Sequence, residues 1–263
     1  MLIGLRNFFH FQIMAQDGEI GRVAGFHFDD QQWVVRYLVV ETGGWLGRRV
    51  LISPLSVLRA DRDLKTLYIS LNRKQVRNSP KVDDGEIPIS RQKELEYHDY
   101  YRWPYYWTGA GVFGAAMPFP AMIPDLALPE GDEPDIDEQS RVHRETFNPH
   151  LASTNDVSGY KIHALDGNFG SLADLVVSDR DWKVGYLVVD TRRWLPGKNV
   201  LLPPDHVKSV DWDKREIQAD LTHAEILNSP VISPDEEILP TTETRIQSYY
   251  TNLKSGTNRQ RAG

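Results

Sequence analysis

Tyr37-Leu38-Val39-Val40-Glu41-Thr42 and Tyr186-Leu187-Val188-Val189-Asp190-Thr191 decide how the rest of this 263-residue chain is read. Each is a short run of aromatic and β-branched residues closed by an acid and a threonine, which is the composition of a strand and its end. The likeness spreads outward from both at one fixed offset. Asp17-Gly18, Gly21, Trp33 and Trp45-Leu46 recur as Asp166-Gly167, Gly170, Trp182 and Trp194-Leu195. After a one-residue insertion near Pro196, Val50-Leu51, Pro54, Val57, Asp61, Leu71 and Asn78-Ser79-Pro80 reappear as Val200-Leu201, Pro204, Val207, Asp211, Leu221 and Asn228-Ser229-Pro230. A repeat of this length means two copies of one small domain.

Within each copy the pattern is of strands. Ile20, Val23, Phe26 and Phe28 alternate with polar and glycine positions, and Asp29-Asp30-Gln31-Gln32 turns the chain into Trp33 to Val40. Arg48 to Ile52 reads as the return strand, Ser53-Pro54 breaks it, and Asp61-Arg62-Asp63 turns Val57 to Ala60 into Thr66 to Leu71. Several short strands joined by turn signals predict an all-β fold of two tandem small β-barrels, since closure removes exposed edges from so small a domain. Asn72-Arg73-Lys74-Gln75 and Thr222-His223-Ala224-Glu225 fit capping boxes, and Ser79-Pro80 and Ser229-Pro230 stop both short helices at the same point.

The boundaries expected are a first copy over 1–96, a linker over 97–150, a second copy over 151–240, and a short helix with polar tail over 241–263. The linker opens on the aromatic stretch Tyr97 to Trp107 and continues into Asp125 to Ser140, which holds seven acids and no base. The aromatic stretch fits two roles, docking a partner or membrane surface, or an intramolecular cover over the seam between the copies. Tyr249-Tyr250 in a comparable place after the second copy favours the structural role.

Composition excludes several classes. The chain has no cysteine, so it has no disulfide, thiolate metal site or thiol nucleophile. Its net charge of -7 speaks against general nucleic-acid binding. There is no run of about 18 apolar residues, and the N-terminus turns polar too soon for a signal peptide, so a cytoplasmic location is expected. The eight histidines form no recognised metal spacing, no phosphate-loop or dinucleotide fingerprint occurs, and no enzyme activity, metal or cofactor is expected.

Taken with their order and spacing, Gly21-Arg22-Val23, the Tyr-Leu-Val-Val strand, the return strand Val200 to Pro203 and the Asn-Ser-Pro segment give each copy a resemblance to PRC-barrel domains. It covers Phe9 to Ile89 and Tyr160 to Leu239. That family includes the cytoplasmic domain of the photosynthetic reaction centre H subunit and the C-terminal domain of the ribosome maturation factor RimM. The resemblance implies a non-catalytic module that holds a protein partner, as an adaptor or assembly factor. The H-subunit likeness implies a place at a membrane or electron-transport complex, peripheral to the inner membrane. The RimM likeness implies, as the alternative, an RNA- or ribosome-associated factor. A small-molecule binder at a barrel mouth is a third reading, and homodimerisation fits such surfaces.

Two sets of residues are candidate binding groups. Glu41 and Asp190 end equivalent strands, where an acid either relays protons, as acids do in the H subunit, or simply accepts turn hydrogen bonds. Trp45 with Arg48 and Arg49, and Trp194 with Arg192 and Arg193, place an exposed ring among bases, the pairing enriched at binding hot spots. The alternative for each Trp is a lid over its own domain. The first copy has Gly43-Gly44 where the second has Arg192-Arg193, so the two loops are chemically distinct.

Overall fold

The computed structural model describes residues 2–43, 47–81, 89–108, 151–191, 199–232 and 238–261. The strands are β1 (Leu2–Gly4), β2 (Gln12–Ala15), β3 (Gly18–Asp29), β4 (Val34–Thr42), β5 (Arg49–Ile52), β6 (Val57–Asp61), β7 (Thr66–Ile69) and β8 (Leu151–Ser153). They continue as β9 (Lys161–Ala164), β10 (Gly167–Ser178), β11 (Val184–Asp190), β12 (Asn199–Leu202), β13 (Val207–Asp211), β14 (Glu216–Ala219) and β15 (Val231–Ile232). The α-helices are α1 (Arg73–Asn78), α2 (Arg91–Tyr101), α3 (Thr154–Val157), α4 (His223–Leu227) and α5 (Pro240–Arg261).

Two compact units result, with exchanged ends. The first-repeat unit is Phe8–Ser153, and the second-repeat unit is Met1–Asn7 with Thr154–Gly263. The first holds a seven-stranded sheet of order β5-β4-β3-β2-β7-β6 with β8 added on β3. The second holds an eight-stranded sheet of order β13-β14-β9-β10-β11-β12-β15 with β1 added on β10. Most neighbours are antiparallel, while β2 with β7 and β9 with β14 run parallel.

The expected all-β pair of closed barrels is not what forms. Both sheets are open, with no closed barrel among the described residues, and the fold is mixed, with a large helical share beside the strands. β5 and β6 follow each other in the chain yet stand at opposite ends of the sheet path. Between them Ser53 caps a 3-10 turn over Pro54–Ser56, where proline has no N–H to give a ladder. The edges are managed by other means. The Leu51 N–H on β5 donates to the Tyr97 hydroxyl of α2 at 3.4 Å, and β15 covers β12. No barrel mouth is therefore formed among the described residues for a small ligand to occupy.

Local rules shared by the copies hold. Both capping boxes are made, by Asn72 with Gln75 and by Thr222 with Glu225. A Cβ on Gly21 would stand 2.0 Å from the Glu41 carbonyl oxygen, and one on Gly170 would stand 2.5 Å from that of Asp190. The glycines of the repeat are thus sites of close backbone approach between neighbouring strands. Trp33 and Trp182 take the same left-handed conformation, each at φ 54°.

The cores differ from a half-exposed sheet. β4 buries Val34 through Val40 without alternation, so both of its faces are covered. Ile13, Phe26, Leu38, Leu51, Leu67 and Val76 are buried in the first unit, and Ile162, Phe169, Leu187, Leu201 and Ile226 in the second. No helix among the described residues is long and apolar enough to cross a membrane.

Candidate functional site

Of the residues expected to bind, Trp45, Arg192, Arg193 and Trp194 lie outside the described residues. Glu41 is exposed at the end of β4, opposite Arg22 on one side and Arg49 on the other. Asp190 ends β11 half-buried, opposite Ser171 and Asn199. Arg48 is turned elsewhere: its guanidinium donates to the carbonyls of Val76 at 2.8 Å, Ser79 at 3.5 Å and Arg77. A cation on the last carbonyls of α1 satisfies groups a helix end leaves unpaired and suits its dipole. The structure thus brings Glu41 and Arg49 together on one ladder, and gives Arg48 to the helix.

The densest chemistry sits on the aromatic stretch. Ser90 caps α2, accepting from the Lys93 N–H at 3.2 Å. Arg102 ends it in the left-handed conformation, at φ 57°. That reversal turns Trp103 to Trp107 back onto the first unit's own sheet. Trp103 stacks on Tyr101 at 4.3 Å and donates its indole N–H to Ser56 Oγ at 3.2 Å. Tyr106 is buried and donates to Glu94 Oε1 at 2.5 Å.

Glu94 has no exposed surface, and Arg91, Tyr37 and Tyr106 meet its carboxylate. Arg91 lies 2.7 Å from Oε2, while Tyr37 and Tyr106 donate to Oε1, Tyr37 at 3.0 Å. Arg36, equally buried, pairs with Asp29 at 3.2 Å and Gln32 at 2.8 Å and lies 3.8 Å from the centre of the Tyr106 ring. Buried charges survive only when paired and hydrogen-bonded in this way. Burial and then the Glu94 charge hold the Tyr37 and Tyr106 hydroxyls well above their usual range, so both remain donors.

His98 completes the cluster. Its Nδ1 meets the Pro104 carbonyl at 2.9 Å, and a carbonyl only accepts, so Nδ1 carries the proton. Its Nε2 is then an acceptor, and the Tyr37 hydroxyl, 2.8 Å away, shares its one hydrogen between that nitrogen and Glu94 Oε1. Burial lowers the imidazole to about 4, which leaves it neutral near pH 7. Chemically the arrangement is a clamp: one buried carboxylate, two arginines and a histidine hold an aromatic strap on β4.

The second unit repeats the platform, with no such strap among the described residues. Ile89, Glu94, Tyr100 and Tyr101 recur as Ile238, Glu243, Tyr249 and Tyr250, and Tyr37 as Tyr186. The Tyr100 hydroxyl donates to the Gln75 carbonyl at 2.7 Å, and the Tyr249 hydroxyl to that of Glu225 at 2.6 Å. The paired rings cross nearly at right angles in both, with centres 4.8 and 5.2 Å apart. Tyr186 is pushed up to about 12 by burial and then by Glu243. Here, however, Glu243 is half-buried, and Gln247, donating to it at 3.1 Å, is exposed. Arg36 and Arg91 are replaced by Gly185 and Pro240, and α5 runs on where α2 turns back. The place of Ser56 is taken by His206, which pairs with Asp220 at 2.8 Å and lies 5.1 Å from the Tyr250 ring.

Sequence reasoning reached Tyr249-Tyr250 but missed Glu94 and Glu243. The signal is present: beyond the unmatched stretch after each Ser-Pro, the offset that links Tyr37 to Tyr186 resumes and aligns the two glutamates. Among the described residues no group of three or more side chains is arranged to hold a metal ion. No protein-family model matches this chain, and no curated protein matches it.

Proposed function

We propose that the chain is a non-catalytic protein-binding module of the adaptor or assembly type, akin to PRC-barrel domain proteins in its repeat though not in barrel closure. The reading that it works at the surface of a membrane or electron-transport complex rests on the H-subunit resemblance. One observation carries the binding role. The β4–α2 platform of the first unit holds an aromatic peptide stretch that ends in a 3-10 turn over Tyr106–Thr108, and the second unit presents the same Tyr-Glu-Tyr-Tyr framework with Glu243 and Gln247 reached by solvent. A platform that seats a peptide in one repeat and, among the described residues, leaves Glu243 partly exposed in the other suits a partner's segment, recognised by an aromatic ring and a basic group facing Glu243.

The test uses the full chain with a photo-crosslinking residue at Gln247 or, as control, at Lys208 on β13. Crosslinking in source-cell extract, with and without RNase, is followed by mass spectrometry. The expected result is one protein species from position 247 alone, unaffected by RNase and lost in Glu243→Lys. Equal capture from both positions overturns the docking face. RNA or ribosomal proteins lost on RNase treatment replace the reading with the RNA-associated one.

A further inference from the structure

The exchanged strands occupy equivalent slots. In the first unit β8 lies on β3 with Ser153 opposite His27, Ala152 opposite Phe28 and Leu151 opposite Asp29. In the second, β1 lies on β10 with Gly4 opposite Val176, Ile3 opposite Val177 and Leu2 opposite Ser178. At the repeat offset these are the same three rungs. The bulge before them is shared too, between Val23 and Gly25 in β3 and between Leu172 and Asp174 in β10.

At this bulge the copies differ in a reciprocal way. β3 has the small, buried Gly25, and the strand seated on it ends in Ser153. β10 has Asp174, and the strand seated on it ends in Gly4. A Cβ on Gly4 would stand 2.6 Å from Asp174 Oδ2. The carboxylate cannot easily swing away, because it accepts the Arg6 N–H at 3.2 and 3.3 Å and the Leu175 N–H at 2.8 Å. Arg6 is anchored in turn, donating to Ser158 Oγ at 2.6 Å.

We propose that the flank of β10 is a strand-binding site selective for an apolar-apolar-glycine segment, filled by Leu2-Ile3-Gly4, and that Asp174 is its specificity residue. Ser153 seated there would drive its Cβ into the carboxylate, and Gly4 seated on β3 would face only Gly25. The pairing of Gly4 with Asp174 and of Ser153 with Gly25 therefore assigns each strand to one slot. Burial pushes the Asp174 carboxyl up to about 6, so its charge at neutral pH is held at a cost. The first repeat manages with glycine at the same place. A half-buried charge kept where the other repeat has glycine fits selection against the wrong strand.

The test is a cycle in the full-length chain: Gly4→Ser, Asp174→Gly and the double variant. The readout is hydrogen exchange of the amides of Leu2 to Gly4, with thermal unfolding alongside. Gly4→Ser is expected to speed exchange by at least about tenfold as the strand loosens. Asp174→Gly alone also speeds exchange, because the Arg6 N–H loses its acceptor, and the double variant stays within about threefold of Asp174→Gly instead of adding the Gly4→Ser loss to it. Should Gly4→Ser fail to fold, recovery of cooperative unfolding in the double variant reads the same way. An equal loss from Gly4→Ser in both backgrounds, or none in either, overturns the key.

Discussion

The α2 and α5 platforms are one design finished in two ways. Both set a tyrosine of the sheet against a helix glutamate, and both lay a crossed tyrosine pair over the short helix that ends the repeat. In the first repeat the helix stops at Arg102, the chain folds back, Arg91 pairs with a carboxylate that has no exposed surface, and Arg36 lies over the Tyr106 ring that also binds it. In the second, glycine and proline stand at the two arginine positions, the helix continues to Arg261, and the glutamate keeps contact with water. Among the described residues the same motif is thus covered by the chain in one copy and reached by solvent in the other. A repeat protein can turn one copy into scaffold and leave the other to bind, with few substitutions.

The largest effect that would break this comparison is the removal of the two glutamates in turn. Glu94→Ala leaves Tyr37 and Tyr106 buried, and Arg91 half-buried, around an empty position, which is expected to cost about 3–5 kcal/mol. Glu243→Ala removes a solvated carboxylate held by an exposed glutamine and is expected to stay within about 0.5 kcal/mol. Denaturant unfolding read through amide exchange in β4 and β11 separates the units. Equal losses would show that both platforms are scaffold.

Acid sharpens the contrast from another side. His27 and His98 are both lowered to about 4 by burial, and among the described residues His27 has no hydrogen-bond partner on either ring nitrogen. Their counterparts are Val176 and Gln247, which do not titrate. With folded values below the ordinary 6.5, the unfolded chain takes up protons first as pH falls. The stability these groups leave intact above pH 6.5 is therefore lost between 6.5 and 4, up to about 3 kcal/mol for each. Asp174 in the second unit acts in the opposite sense. Its folded value of about 6 lies above the ordinary 3.8, so the penalty of its charge is relieved as pH falls from about 6 to 3.8. Amide exchange across that window should show the first unit loosening while the second does not, and His27→Val with His98→Gln should remove the difference. A first unit indifferent to pH in the double variant and wild type alike would contradict the assignment.

What the chain made legible follows from the range of the interactions. Turn chemistry, capping boxes and the close-approach glycines depend on a few neighbouring residues, and Gly21, Gly170, Asn72 and Thr222 behave as their patterns require. Barrel closure depends on whether β5 meets β6, and the distant Tyr97 answers that edge instead. Glu94 lies in the polar run Arg91-Gln92-Lys93-Glu94-Leu95-Glu96, which reads as a solvated helix face. Its burial is set by Tyr37, far away in the chain. Arg48 reads as a loop base beside a tryptophan, and only the fold brings the carbonyls of α1 to it.

The smallest test asks whether the copies remain energetically alike where their geometry is alike. Asn72 accepts the Gln75 N–H at 2.8 Å, and Thr222 accepts that of Glu225 at 3.3 Å, with the reciprocal bond made in each case. Asn72→Ala and Thr222→Ala should each cost about 1 kcal/mol, seen as matched shifts in denaturant midpoint at unchanged slope. Thr222 carries one extra bond, its hydroxyl donating to Glu225 Oε2 at 2.8 Å, but that partner is already engaged with the Thr222 N–H. The two losses should therefore agree within about 0.5 kcal/mol. A larger loss in the second repeat would mean that α4 is held mainly by its cap. A match places the divergence of the copies beyond the repeat core, in the helix that follows it.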